Sequence, residues 1–278
     1  MIQKILQTIA KPFIGTGIGK KLPILHVLYK RPYQITQSGT FITVIPLGIR
    51  LRIQRGDNGP GLYLASTGSY EPIETQLFIK LIRKNDIVFD IGAHVGYYTT
   101  LAGKLVKGKG RVLAFEPEPR NYALLQENIA VNKLARCQTK QCAVGAKKGK
   151  TDFYLSSASS GEHSILAQPN AKKLTVALTT IDAEVKKQGI FPTIIKIDVE
   201  GAEGDVFKGM NKTLKNKKLR AVFLEARSTN IAQTLIAHNF SLRIIDERGK
   251  QIVPYTPARF NEEIDRHGYT NIVGIKNL

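Results

Sequence analysis

Residues 88–103, VFDIGAHVGYYTTLAG, constrain the fold more than any other stretch of this sequence. The run opens apolar without alternation, as a strand covered on both faces does, and after two glycines it continues at helical spacing. A strand that turns through Gly92 and Gly96 directly into a helix starts a parallel α/β sheet, and such sheets bind ligands at their carboxyl edge. Glycine there lets the backbone approach a ligand without a Cβ in the way, and the junction is expected to offer free N–H groups and the positive end of a helix dipole. A tight strand–helix turn can need glycine with no ligand at all, so the pair alone does not decide. The next strand adds weight. It ends AFEPEP and puts Glu116 twenty-four residues beyond Gly92, where an acidic side chain can accept from both hydroxyls of a ribose.

The same loop excludes some cofactors. Dinucleotide binders carry G-x-G-x-x-G, whereas this chain reads D-x-G-x-x-x-G with Asp90 in front, and no Gly-Lys-Ser/Thr stands at the offset a phosphate-binding loop needs. Asp90 suits a ligand that carries a cationic amino acid rather than a pyrophosphate. S-adenosylmethionine fits that description.

From residue 86 onward strands alternate with helices. IVFD, RVLAFEP, CQTKQCAVG, TIIKIDV and LRAVFLEA read as strands, and helices are expected over 97–106, 120–132, 203–214 and 230–238. TDFYLSS with KLTVALTTI reads as a two-strand excursion, and SLRIIDERG with TNIVGIKN as a terminal pair. Earlier, QITQSGTFITVIPLGIRLRIQ alternates and turns like a small antiparallel sheet, and GPGLYLASTGSYEPIETQLFIKLIRKND reads as a strand, a loop and a helix from about Glu71. Ile2, Ile5, Leu6, Ile9, Phe13 and Ile14 recur at helical spacing, cut short by Pro12 and the glycines after it. A chain of 278 residues therefore divides into 1–69, a basic helix with a small antiparallel region, and 70–278, one large α/β domain.

The motifs FDIGAHVGYYT, AFEPEPRNYALLQENIAVN, AVG, LTTID and IIKIDVEGAEGDVFKGM resemble, in order and spacing, those of the FkbM family of S-adenosylmethionine-dependent methyltransferases, over about residues 70–225. The resemblance implies the class I, Rossmann-like sandwich: a seven-stranded, mainly parallel sheet with helices on both faces and its last strand antiparallel. It also implies O-methylation of a hydroxyl on a sugar or glycan, lipid-linked or secondary-metabolite acceptor, leaving S-adenosylhomocysteine. On the matching motifs, cofactor contacts are expected from Asp90, Gly92, Ala93, His94, Gly96, Tyr97, Glu116, Pro117, Cys142, Ala143 and Asp198.

IIKIDVEGAEGDVFKGM carries the candidate chemistry. Asp198, Glu200 and Glu203 fall within six residues at the end of a central strand, where mutual repulsion should raise at least one pKa. Such a group can take the proton of an attacking alcohol, with Asp198 or Glu200 near the reacting centre and Glu203 in support. Capping of the following helix is the plainer role for carboxylates there, and one of the three is expected to do only that. The same cluster is the place for Mg²⁺ if any metal binds, but no separate Asp/Asn pair accompanies it and no metal is expected. His163 and Ser164, in the excursion, and Glu225, ending VFLE, are candidate acceptor contacts, while His26, His238 and His267 read as ordinary structural or surface residues.

The net charge is +19, and residues 1–56 hold nine basic residues and no acidic ones. This suggests peripheral contact between the basic N-terminus and an anionic membrane, or a nucleic-acid backbone. An RNA methyltransferase is the first alternative, opposed by the lack of an NPPY-type motif, of Trp and of basic runs interleaved with aromatics. A non-catalytic, membrane-associated form of the fold is the second, opposed by the intact loop and carboxylates. No apolar run reaches a spanning length and the opening lacks a secretory pattern, so a cytoplasmic place is expected. Cys137 and Cys142 are too few for a disulfide framework and read as small core residues.

Overall fold

A computed structural model of the chain describes residues 39–55, 60–156, 161, 163–167 and 171–276. The amphipathic helix expected at the N-terminus lies outside them. The described chain opens with a hairpin, β1 (Thr40–Ile45) and β2 (Ile49–Gln54), followed by α1 (Pro60–Thr67) and α2 (Pro72–Leu81). Strands and helices then alternate: β3 (Ile87–Ile91), α3 (Tyr97–Leu105), β4 (Arg111–Phe115), α4 (Pro119–Val131) and β5 (Cys137–Lys140). The excursion is β6 (Ala143–Val144), β7 (Gly149–Leu155), β8 (Lys172–Thr179) and α5 (Ile181–Gln188). The remainder is β9 (Ile194–Ile197), α6 (Glu203–Lys208), α7 (Asn211–Lys215), β10 (Ala221–Ala226), α8 (Thr229–Ala237), β11 (Phe240–Asp246), β12 (Gln251–Pro254), α9 (Pro257–His267) and β13 (Thr270–Lys276).

The central sheet runs β12-β11-β13-β10-β9-β3-β4-β5. Neighbours from β10 to β5 pair in parallel, while β13 is antiparallel to both β10 and β11. This is the class I methyltransferase sheet with eight strands rather than seven, the extra one being β12, which folds back on β11. Asp246 turns that hairpin by accepting from the N–H of Gly249, and Pro254 ends the edge where no ladder donor is needed. All of β9 and β10 is buried, which is why neither alternates in sequence. Chain order reverses between β3 and β9, so their carboxyl ends part and leave a crevice.

Helices cover both faces. One layer packs Ile181, Val206, Phe207, Met210 and Leu235 against the sheet; the other packs Phe78, Tyr98 and Leu101 together with Ile45, Ile49, Leu51 and Ile53 of the hairpin. The N-terminal hairpin thus shares the core of the sheet. Its edge is closed by side chains of α4. Asn128 accepts from the N–H of Arg52 at 2.6 Å and donates to its carbonyl at 2.9 Å, and Asn132 does the same for Arg50 at 2.9 and 2.7 Å. Two asparagines one turn apart therefore stand in for a neighbouring strand.

Four local expectations change. GLYLAST is the helix α1, started by Pro60, and not a strand. CQTKQCAVG divides between two sheets, β5 in the main one and β6 beside β8. The helix expected over 203–214 breaks at Gly209, where a Cβ would fall far inside the Gly145 carbonyl. Residues 251–267 hold a strand and a helix that the periodicity did not reveal. The helix has a clear start all the same, since Thr256 accepts from the N–H of Arg259 and Pro257 follows it.

Candidate active site

The crevice between β3 and β9 deepens into a cavity of about 680 Å³. Asp90, at the end of β3, is buried in its wall and accepts a hydrogen bond from Thr99 Oγ1 at 2.5 Å. Burial pushes its pKa up to about 6 despite that bond. Glu116, just past β4, is held by two backbone donors, the N–H of His94 at 2.8 Å and of Glu118 at 2.9 Å. Burial pushes it to about 8 against both. Each donor uses one site on a carboxylate oxygen, leaving acceptor capacity for a ligand.

The glycine loop does not work as its sequence suggests. Gly92 and Ala93 both donate to the Phe115 carbonyl at 2.9 Å, His94 donates to Glu116, and Gly96 donates to the Ala93 carbonyl at 2.8 Å. These four amides are spent inside the loop rather than offered to an anion. The glycines answer to packing. A Cβ on Gly92 (φ +82) would fall far inside the Asp198 carbonyl oxygen, and one on Gly96 (φ +91) would lie 2.6 Å from Leu125 Cδ1. A loop whose N–H groups are taken, flanked by buried carboxylates, suits hydroxyls and a positive charge better than a pyrophosphate. The residues present therefore fit the cofactor that the class I methyltransferase fold implies, S-adenosylmethionine.

A second group of carboxylates faces the cavity from β9, β10 and the loop after β9. Oxygens of Asp198, Glu200 and Glu225 lie within 4.8 Å of one another, and Arg227 enters the group with Nη2 2.6 Å from Glu200 and 2.5 Å from Glu225. Its guanidinium supplies the counter-charge for this acidic group. Burial and the Asp198 charge push Glu225 to about 8, and burial raises Asp198 as well. Glu200 sits at φ +51, a left-handed strain for a non-glycine residue, in the turn that aims these groups. Glu203 is not in the cavity wall; it accepts from the N–H of Gly201 at 2.9 Å and so shapes the turn into α6. Ser164 likewise braces that turn, donating to the Glu200 carbonyl at 2.9 Å.

Of the expected contacts, Asp90, Gly92, Ala93, His94, Tyr97, Glu116, Pro117, Cys142, Ala143, Asp198, Glu200, His163 and Glu225 all line the cavity; Gly96, Glu203 and Ser164 do not. His267, read as an ordinary residue, lines it too, with Tyr269 and Arg227. Sequence reasoning missed Arg227, Tyr70 and Tyr269 as well as Lys196. Lys196 is 1% exposed in mid-strand β9, its Nζ 2.7 Å from Glu74, 3.8 Å from Glu71 and 3.9 Å from Asp198, over the ring of Tyr98. A lysine inside IIKI was the available signal, because a charge in an apolar central strand must have a buried partner.

The family model of the methyltransferase FkbM domain matches residues 90–252, more than half of the sequence. The chain belongs to the FkbM methyltransferase family. Among curated relatives, hexuronic acid methyltransferase AglP of Haloferax volcanii is 25% identical over 154 residues, covering 54% of this chain and 61% of its own. Methyltransferase 1 of Beauveria bassiana is 24% identical over 148 residues, covering 46% of this chain and 59% of its own. The chain thus spans about 60% of the length of the curated relatives it matches. A solved FkbM methyltransferase from Methylobacillus flagellatus is 18% identical, with a TM-score of 0.47, covering 77% of this chain and 52% of that one. Among the described residues no helix is long and apolar enough to cross a membrane.

Proposed function

We propose that this chain transfers a methyl group from S-adenosylmethionine to a hydroxyl of a sugar or glycan, lipid-linked or secondary-metabolite acceptor. The observation that carries the reading is one cavity with two sets of carboxylates, Asp90 and Glu116 beside the glycine loop and Asp198, Glu200 and Glu225 at the ends of β9 and β10. Asp90 would face the cofactor's positive charge, Glu116 its ribose hydroxyls, and Pro117, Cys142 and Ala143 its base. The bound cofactor supplies an electrophilic methyl on a sulfonium that is already a good leaving group. The chain's own task is then to hold acceptor oxygen and methyl carbon in line and to exclude water. Asp198 or Glu200, both in the cavity wall after β9, would take the hydroxyl proton. Arg227, tied to Glu200 and Glu225, holds those side chains at the acceptor end.

Support for a sugar acceptor comes from the relative named as a hexuronic acid methyltransferase and from Tyr70, Tyr269, His163 and His267 around the cavity, which offer ring faces and hydrogen-bonding tips. The test is transfer of labelled methyl from S-adenosylmethionine to fractionated glycan, lipid and RNA extracts, with the product identified. An O-methyl ether on a non-nucleic-acid acceptor is the expected product. Label confined to RNA, or to nitrogen or carbon, would overturn the assignment.

A further inference from the structure

One face of the molecule, formed by three segments distant in sequence, is almost purely cationic. Gly209 packs against the Gly145 carbonyl, which brings the loop after β6 onto the turn between α6 and α7. Asp182, in the first turn of α5, accepts from the N–H of Lys212 at 2.9 Å and of Thr213 at 2.8 Å, which docks α5 on α7. On this frame Lys147 and Lys148 stand in the loop, Lys186 one turn along from Asp182, Lys208 at the end of α6, and Lys212 and Lys215 on adjacent turns of α7. All six are exposed. Of the acidic residues in these segments, Asp182 and Asp205 are partly exposed, while Glu184 and Glu203 are buried. Asp182 is also occupied by the Thr213 hydroxyl, while Asp205 pairs with Lys208 at 2.7 Å.

We propose that this lysine face docks the enzyme on an anionic lipid bilayer. The residue types favour that surface over a nucleic acid. Segments 145–150, 181–188 and 203–215 contain no arginine, the side chain suited to bidentate phosphate recognition, and their one aromatic, Phe207, is buried, so no stacking platform is presented to bases. Lysines are point charges, and a cluster of them is what a diffuse headgroup field attracts, each adding about fivefold to partitioning near an anionic leaflet. One end of the face adjoins the reaction cavity: Cys142, Ala143 and Val144 line that cavity, and the next residue, Gly145, opens the loop that carries Lys147 and Lys148.

The test is co-sedimentation of the full chain with phosphatidylcholine vesicles and with vesicles containing phosphatidylserine, at low and high salt. The triple variant Lys186→Glu/Lys212→Glu/Lys215→Glu is compared with Lys84→Glu/Lys107→Glu/Lys109→Glu. The second triple changes net charge equally but lies outside these three segments, just before β3 and β4, where Lys107 N–H donates to the Lys84 carbonyl. Thermal unfolding confirms that both fold. The expected result is salt-sensitive binding to the anionic vesicles alone, lowered about a hundredfold by the first triple and far less by the second. Equal losses would mean that net charge, not this face, drives binding, and would overturn the proposal. Undiminished binding by the first triple, as an anchor in residues 1–21 would give, overturns it too, as does binding to RNA with none to vesicles.

Discussion

Replacing Gly92 by alanine separates packing from ligand access. If the glycine only made room for a ligand, Gly92→Ala would fold normally and lose cofactor affinity alone. The structure demands more. At φ +82 an alanine pays roughly 1–2 kcal/mol for the left-handed backbone. Its Cβ would fall far inside the Asp198 carbonyl oxygen and 2.8 Å from the carbonyl carbon, so the end of β9 must retreat from β3. Overpacking of this kind costs roughly 1–3 kcal/mol. Retreat also strains the 2.9 Å bond from Asp198 N–H to the Ile91 carbonyl, worth about 1 kcal/mol. The total is about 3–6 kcal/mol, a large part of a domain's usual stability. Gly189 is the control: it ends α5 at φ +65 with nothing within 4 Å of a Cβ, so Gly189→Ala should lose about 1–2 kcal/mol for backbone strain alone. Urea unfolding of both variants without ligand decides the matter. A Gly92→Ala protein no less stable than Gly189→Ala would refute the argument.

Two further outcomes are expected. Asn128→Ala should destabilise by about 2–4 kcal/mol, because it strips partners from the Arg52 N–H and from the Arg52 and Val95 carbonyls. The more exposed Asn132→Ala should cost under half as much in the same urea titration. S-adenosylmethionine affinity should fall as pH drops through about 6, since Asp90 is raised to that value by burial and its protonated form no longer offers a negative charge. Asp90→Asn should flatten that dependence and weaken binding about tenfold to a hundredfold at neutral pH, the loss of one charge-assisted hydrogen bond. Calorimetric titrations between pH 5 and 8 would show this, and an unchanged pH profile in the variant would assign the titration elsewhere.

What could be read from the chain alone was whatever near neighbours encode. Largely apolar runs without alternation, IVFDI of β3 and IIKI of β9, announce strands buried on both faces, and the carboxylates at their ends mark the sheet's carboxyl edge. Glycines and the order of the motifs supply the junctions and the family. Asp90, Glu116, Asp198 and Glu225 could be named for that reason: Asp90 and Glu225 stand next to last in their strands, and Glu116 and Asp198 directly after theirs. Tertiary structure alone decided what lies opposite each group. Lys196 finds Glu74 from a helix more than a hundred residues earlier, and Arg52 finds Asn128 in place of a strand. Gly92 meets the Asp198 carbonyl, which turned a presumed ligand cradle into a packing requirement. CQTKQCAVG looks like one strand locally, yet the two ends pair with different sheets. Local propensity and periodicity set an element's type, whereas clashes, ion pairs and strand partners depend on distances between segments far apart in the chain. Those distances exist only once the layers have packed.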